Sequence, residues 1–317
     1  MKTLEELKIF FTESLRKDLE ALEDVRIKTV LKLRNALVLV FTAAVVIAAF
    51  AAGVDGGGVF HAIGLAVVVG GLAYYFITKS YVSDFKEVVI RQLVEFLDPG
   101  LRYGPQQKIP IEEFMNSKLF LRHPDVYQGD DRVGGRMGAT AIDFSEIHAQ
   151  YVTRDNKGRA QYHTIFKGLF FKADFNKHFQ GETFILPDTA QRLLGNLGNM
   201  FQSWNISRPA LVKLEDPEFE KLFAVYGTDQ IEARYILSPS LMRRIVDFKK
   251  KSNRTIWLSF IHSDVYIAVS YFKNLFEPKV FHTLLDFQPI KEYFEDLQLV
   301  IGIVEDLNLN TRIWTKA

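Results

Sequence analysis

The chain predicts an α+β protein: an N-terminal two-helix transmembrane hairpin with a helical stalk, then a mixed soluble domain built on antiparallel hairpins. Three observations carry this. Two uncharged apolar runs, Ala36 to Val54 and Val59 to Thr78, are separated only by Asp55-Gly56-Gly57-Gly58. Crossing a hydrocarbon core takes about 20 apolar residues at ~1.5 Å each, so each run is long enough to span. Downstream, alternating strand-like segments meet at turn residues, and they interleave with helical patterns without regular βαβ spacing.

Composition narrows the possibilities. A formal net charge of +1 over 317 residues gives no bias toward nucleic acid. The absence of cysteine excludes disulfides, thiolate zinc sites and cysteine nucleophiles, and it suits a reducing compartment. Most of the 27 phenylalanines follow the hairpin and imply a well-filled core. A long mixed-charge stretch precedes the first apolar run, which argues against a cleavable signal peptide.

The elements follow in order. Thr3 with Glu6 fits a capping box and opens a helix striped by Leu4, Leu7, Phe11, Leu15, Leu19 and Leu22. Its mixed-sign polar face suits a stalk over residues 1–35. The spans occupy about 36–54 and 59–78 within a hairpin at 36–79. Arg26, Lys28, Lys32 and Arg34 precede it and Lys79, Lys86 and Arg91 follow it, whereas the turn carries only Asp55. Positive flanks stay inside, so both tails are expected on the cytoplasmic side. Tyr74, Tyr75 and Tyr81 then fall at the inner interface. Ala44, Ala48 and Ala52, like Ala62, Ala66 and Gly70, form small-residue faces that let helices approach. Neither run holds an Asp, Glu, Lys or Arg, so a transport pathway within this hairpin is not expected.

Residues 80–106 read as a juxtamembrane helix (Val82, Phe85, Val89, Leu93, Phe96) ended by Asp98-Pro99-Gly100, then a linker from 101. The helix is expected to pair with the N-terminal one. Residues 107–317 form the soluble domain. Arg136–Thr153 and Gln161–Phe175 read as a hairpin symmetric about Asn156 and Lys157, setting Glu146 opposite Lys167, Phe144 opposite Leu169 and Arg154 opposite Arg159. Thr183–Leu186 adds a strand and Asp188 caps a helix through Leu193, Leu194 and Leu197. Leu211–Leu214 is strand-like, while Pro217–Phe223 and Ser238–Phe248 are helical. Thr255–Ile261 and Val265–Tyr271 form a hairpin, and a helix over about 290–307 closes the chain.

Four stretches taken together, Gly138–Glu146, Phe166–Lys177, Leu214–Glu220 and Thr228–Ser238, resemble a family of bacterial membrane proteins whose conserved domain has no known function, the DUF-3137 type. Its members pair an N-terminal transmembrane hairpin with such a domain. The resemblance implies a bacterial inner-membrane, multi-pass protein with N- and C-termini in the cytoplasm. It brings no activity, ligand or catalytic residue.

Each chemical candidate has a plainer reading beside it. Asp174, Asn176 and His178 alternate, as hard-metal or acid/base groups on a strand would, or as turn residues before Gly181. Glu146 and His148 alternate too and could converge with His163 on one sheet face, although Lys167 accounts for Glu146 as an ion pair. His262-Ser263-Asp264 is a hairpin turn, since adjacent residues cannot form a nucleophile–base–orienter chain. Gly134-Gly135-Arg136-Met137-Gly138 lacks the GxxxxGK[ST] spacing. Asp229 or Glu232 with Arg234 suits holding a loop or forming a ligand-facing surface. Arg243, Arg244, Lys249, Lys250 and Lys251 end a helix, where cations complement its dipole or meet anionic lipid.

The function expected is a membrane-anchored cytoplasmic binding or interaction module, with the lipid bilayer and a partner protein or anionic lipid as partners. No cofactor, metal or nucleic acid is implied. The alternatives are a hydrolase-like enzyme at the membrane surface, metal-dependent or not, drawing on Glu146, His148, His163, Asp174 and His178, or an accessory subunit of a membrane complex. Three of those side chains meeting in one cleft would favour the enzyme.

Overall fold

The computed structural model describes residues 2–52, 58–175, 177–188, 209–271, 273–307 and 309. The chain is α+β and divides into two compact units. One comprises Lys2–Leu93 with Phe276–Phe294, and the other comprises Val94–Leu275 with Glu295–Ala317. The helix expected after Asp188, through Leu193, Leu194 and Leu197, lies outside the described residues, as does Asn176.

The first unit is built on helices α1 (Leu4–Ala52) and α2 (Gly58–Leu97). The capping box forms: the Glu6 N–H donates to Thr3 Oγ1 at 3.2 Å, and the Thr3 N–H donates to Glu6 Oε2 at 2.8 Å. The stripe then buries Leu7, Phe11, Leu15, Leu19 and Leu22, while Phe85, Val89 and Leu93 are buried on α2. The expected pairing of these stretches is marked by Gln92, whose amide donates to Asp18 Oδ2 at 2.7 Å. Farther along, the character inverts. Phe41, Phe50, Phe60 and Phe76 are each about 70–80% exposed. A core helix of a soluble protein would bury such rings, so these helices carry an apolar surface suited to lipid. Ala44, Ala48, Ala66 and Gly70 line a groove along the helix pair.

The second unit is a nine-stranded antiparallel sheet in the order β1-β2-β3-β4-β9-β8-β5-β7-β6. Its strands are β1 (Leu101–Gly104), β2 (Val126–Met137), β3 (Thr140–Arg154), β4 (Ala160–Asp174), β5 (Glu182–Pro187), β6 (Ala210–Val212), β7 (Phe223–Gly227), β8 (Ile256–Ile261) and β9 (Asp264–Ser270). Its helices are α3 (Ile111–Asn116), α4 (Pro217–Glu220), α5 (Gln230–Ile236), α6 (Pro239–Ser252) and α8 (Ile303–Asp306). Helix α7 covers Phe287–Ile301. Caps appear where the residues call for them. Ser238 accepts from the Leu241 N–H ahead of Pro239, and Asn253 closes α6 in the left-handed conformation at φ +49°. On one face of the sheet Phe166 and Phe170 of β4, with Ile147 and Ala149 of β3, pack against Ile109, Phe114, Leu119 and Phe120. Each such buried ring contributes about 1.5–3 kcal/mol.

Three expectations are corrected. Arg136–Thr153 is not one strand: the chain reverses at Gly138 (φ +58°), so β2 pairs with β3 from Met137 opposite Thr140. The 101–109 linker contains β1, whose Leu101 and Tyr103 are buried against β2. The β3–β4 register is displaced by two residues. Asp155–Arg159 forms a longer loop, setting Arg154 opposite Ala160, and a further irregularity follows Ala149. Glu146 therefore faces Leu169, Phe144 faces Phe171, and His148 faces Lys167. Because the displacement is even, side chains keep their expected sheet face. The anticipated helix through Phe223 also stops at Glu220, and Phe223 instead begins β7.

Candidate functional site

Antiparallel pairing assembles a polar cavity of about 380 Å³ in the sheet unit. Gln128 of β2 lies opposite His148 of β3, which lies opposite Lys167 of β4. The Lys167 carbonyl accepts from the Tyr271 N–H at 3.1 Å, which brings in the chain beyond β9. One step along, Asp130 lies opposite Glu146. Lys273 and Asn274 complete the lining. Glycines keep the strands close here. A Cβ on Gly168 (φ +150°) would sit 2.1 Å from the Val269 carbonyl oxygen, and one on Gly129 would sit 2.2 Å from that of Glu146.

A bulge in β2 just past Asp130 shapes the acidic end. Asp131 takes φ +57°, is buried, and its carboxylate accepts from the Tyr103 hydroxyl. Backbone bonds from Asp131 N to Pro105 O at 3.2 Å and from Arg132 N to Gln107 O at 3.1 Å hold the bulge. One carboxylate oxygen from each of Asp130, Asp131 and Glu146 lies within 4.8 Å of the other two. Facing carboxylates on paired strands repel, so this end attracts positive charge, and its all-oxygen donor set suits a hard cation. Glu146 Oε1 also accepts from the Leu275 N–H at 2.6 Å, which fixes the segment bearing Lys273 and Asn274.

The lining also carries cations. Lys273 reaches Asp296 at 3.4 Å, and Lys167 faces His148 directly. Burial, followed by the charge of Lys167, pushes the His148 imidazole below its ordinary pKa. Its Nε2 lies 3.3 Å from Thr164 Oγ1. Burial pushes the Tyr271 phenol up to about 12, keeping it a neutral hydroxyl. The cavity thus brings carboxylates, two lysines, the His148 imidazole and Tyr271 together in one lining.

Of the sequence candidates, Glu146 and His148 line this cavity. His163 lies near the opposite end of β4 from Asp174, its Nε2 2.8 Å from Thr153 Oγ1 and its ring stacked on Tyr151 at 4.7 Å. Asp174 pairs with Asp264 at the far end of β4. At ~3.3 Å per residue, the eleven steps from His163 to Asp174 span roughly 35 Å. His178 is exposed, with Nδ1 3.4 Å from Ser263 Oγ. These five residues therefore do not meet in one cleft. Asp130, Asp131, Tyr271, Lys273 and Asn274 escaped the sequence reading because β2 and the chain past β9 had not been recognised as neighbours of β3 and β4. The signal available was the Asp130-Asp131 pair between Gly129 and Gly134-Gly135.

Other motifs have structural roles. Asp264 and Glu113 hold Lys172, at 3.2 and 2.9 Å; burial works against the Lys172 ammonium, yet the two acids keep it above its ordinary pKa. Asp229 caps α5. Glu232 accepts from the Gln180 and Gly181 N–H groups at 3.1 and 2.7 Å and so holds a loop, whereas Arg234 donates to the Lys213 carbonyl rather than joining it. Among the cations of α6, Lys250 pairs with Glu218 at 2.6 Å and Lys251 with Asp306 at 2.8 Å. Arg244 donates to the Asp306 carbonyl at 3.3 Å, and Lys249 to that of Arg254. Arg243 lies on the same helix.

Residues 164–309 match a family described as "Protein of unknown function (DUF3137)". That segment includes Lys167, Tyr271, Lys273 and Asn274; Gln128, Asp130, Glu146 and His148 precede it. A solved structure, the mycobacterial trehalose monomycolate transport factor A, TtfA, is 12% identical, with a TM-score of 0.33 over 69% of this chain and 94% of that one. No curated protein matches the chain.

Proposed function

We propose that this chain, which carries a DUF3137 domain, is a membrane-anchored binding module that captures a small polar ligand in the β2–β3–β4 cavity. The observation that carries this reading is the presence of both signs of charge within one concavity. Asp130 and Glu146 offer a cationic group its partner, and Lys167 offers an anionic group its own. A ligand bearing both charges matches this lining, and a cavity of about 380 Å³ is within the size of small-molecule sites. The dispersal of His163, Asp174 and His178 away from it supports binding over catalysis, since acid/base chemistry requires its groups within hydrogen-bond reach of one substrate.

The anchoring half of the proposal rests on the two exposed apolar helices. The excess of Lys and Arg on both flanks and the lone Asp55 between them orient a hairpin with both tails in the cytoplasm of the bacterial inner membrane. The cavity then samples the cytoplasm. The test compares small molecules retained by the full-length protein and by a Glu146→Gln/Lys167→Met variant, both purified from native membranes under identical conditions. A polar metabolite that copurifies with the first and is lost from the second supports the reading. Identical metabolite profiles reject it.

A further inference from the structure

Within the first unit the segment from Phe276 onward forms a strap pinned to the helical stalk by buried polar contacts. Arg26 Nη1 donates to the Val280 carbonyl at 3.1 Å, and its guanidinium is paired with Glu23 at 2.7 Å. Glu23 Oε2 accepts from the Leu284 N–H at 3.0 Å. Lys86, nearly fully buried, pairs with Glu277 at 2.8 Å, and the Tyr293 hydroxyl donates to the Glu277 carbonyl at 2.7 Å. Val280 and Leu284 are buried, yet Phe281 beside them is 65% exposed. Its ring centroid lies 6.4 Å from that of Tyr74 on α2.

A single exposed phenylalanine on a soluble surface needs no explanation. This one is different because of its neighbours. Tyr74 lies four residues inside the apolar run that ends at Thr78, and Lys79 is the first charge beyond it. At 1.5 Å per residue, four residues are ~6 Å of helix. The adjoining Tyr75 and Phe76 are likewise exposed along the same helix. Any group beside Tyr74 is therefore at the depth where aromatic rings collect at a membrane–water interface.

We infer that the strap is a third membrane contact, in which Phe281 enters the interfacial layer of the bilayer beside Tyr74. The inference rests on the hairpin reading above. The lipid boundary is the occupant the geometry selects, because Phe281 continues the exposed apolar surface of α2 and the strap is clamped on both sides of it.

The cysteine-free chain allows a direct test. Full-length Phe281→Cys, Tyr75→Cys and Ile231→Cys, each nitroxide-labelled, are placed in phosphatidylcholine–phosphatidylglycerol vesicles, and collision with oxygen is compared with collision with a water-soluble nickel complex. Ile231 is a highly exposed site of the sheet unit. The expected result is loss of nickel access at 281, matching position 75, with nickel access retained at 231. Lipid-like behaviour at 75 with water-like behaviour at 281 overturns the strap inference alone. Water-like behaviour at 75 overturns the hairpin reading and the inference together. Access to neither reagent at 281 means that protein covers the ring, and also overturns it.

Discussion

His148 concentrates the electrostatics of the cavity in one titratable ring. Burial and the facing Lys167 both disfavour its protonation, so its pKa falls below the ordinary 6.5. The sign for stability follows. Between the depressed native value and 6.5 the unfolded chain binds more protons than the native one, so His148 makes stability rise with pH across that window. Replacing Lys167 with Met removes the second cause and leaves the first. The His148 ring signal in an NMR titration is expected to shift its midpoint upward while staying below 6.5. An unchanged midpoint would mean that Lys167 does not act on the ring, and the mixed charge proposed for the cavity would lose one of its cations. Glu146 teaches a related lesson. The sequence correctly placed it on a strand face shared with Lys167, but its hydrogen bond to the Leu275 N–H joins residues 129 positions apart, which no local pattern encodes.

Strand β4 is the element on which the site depends, since it presents Lys167 and borders β9 through Gly168. A side chain at 168 meets both a positive φ and a carbonyl oxygen 2.1 Å away, whereas Gly158 has φ +77° and open space. Gly168→Ala is therefore expected to cost about 2–3 kcal/mol and Gly158→Ala about 1 kcal/mol, read as loss of thermal stability in the detergent-solubilised protein. Equal losses would show that β4 and β9 can separate without penalty. The same strand shows what was legible. The hairpin pattern over Arg136–Thr153 and Gln161–Phe175 identified β4 and the face that Lys167 shares with Glu146. Its register was missed because a longer loop at 155–159 and the irregularity after Ala149 each add one residue, and neither leaves a mark in hydrophobic period. Strand β2 was missed for a different reason: Gly129, Asp130, Asp131, Gly134 and Gly135 depress strand propensity in a segment held by its neighbours β1 and β3. Caps, by contrast, are local chemistry, and the Thr3–Glu6 capping box is legible from the residues alone.

At the scale of the molecule, the hairpin was the most legible feature, because a continuous uncharged run is a property of composition rather than of contacts. The strap was the least legible, since it joins Glu23 and Arg26 to Val280 and Leu284 across more than 250 residues. Anchoring with the sheet unit in the cytoplasm is the claim on which the proposed function and the strap both depend. It is tested by labelling intact cells with a membrane-impermeant maleimide, using single-cysteine variants Asp55→Cys and Ile231→Cys in the cysteine-free chain. The account predicts labelling at 55 in intact cells and labelling at 231 only after the membrane is permeabilised. Labelling at 231 in intact cells, or protection at 55 that ends only on permeabilisation, would contradict it.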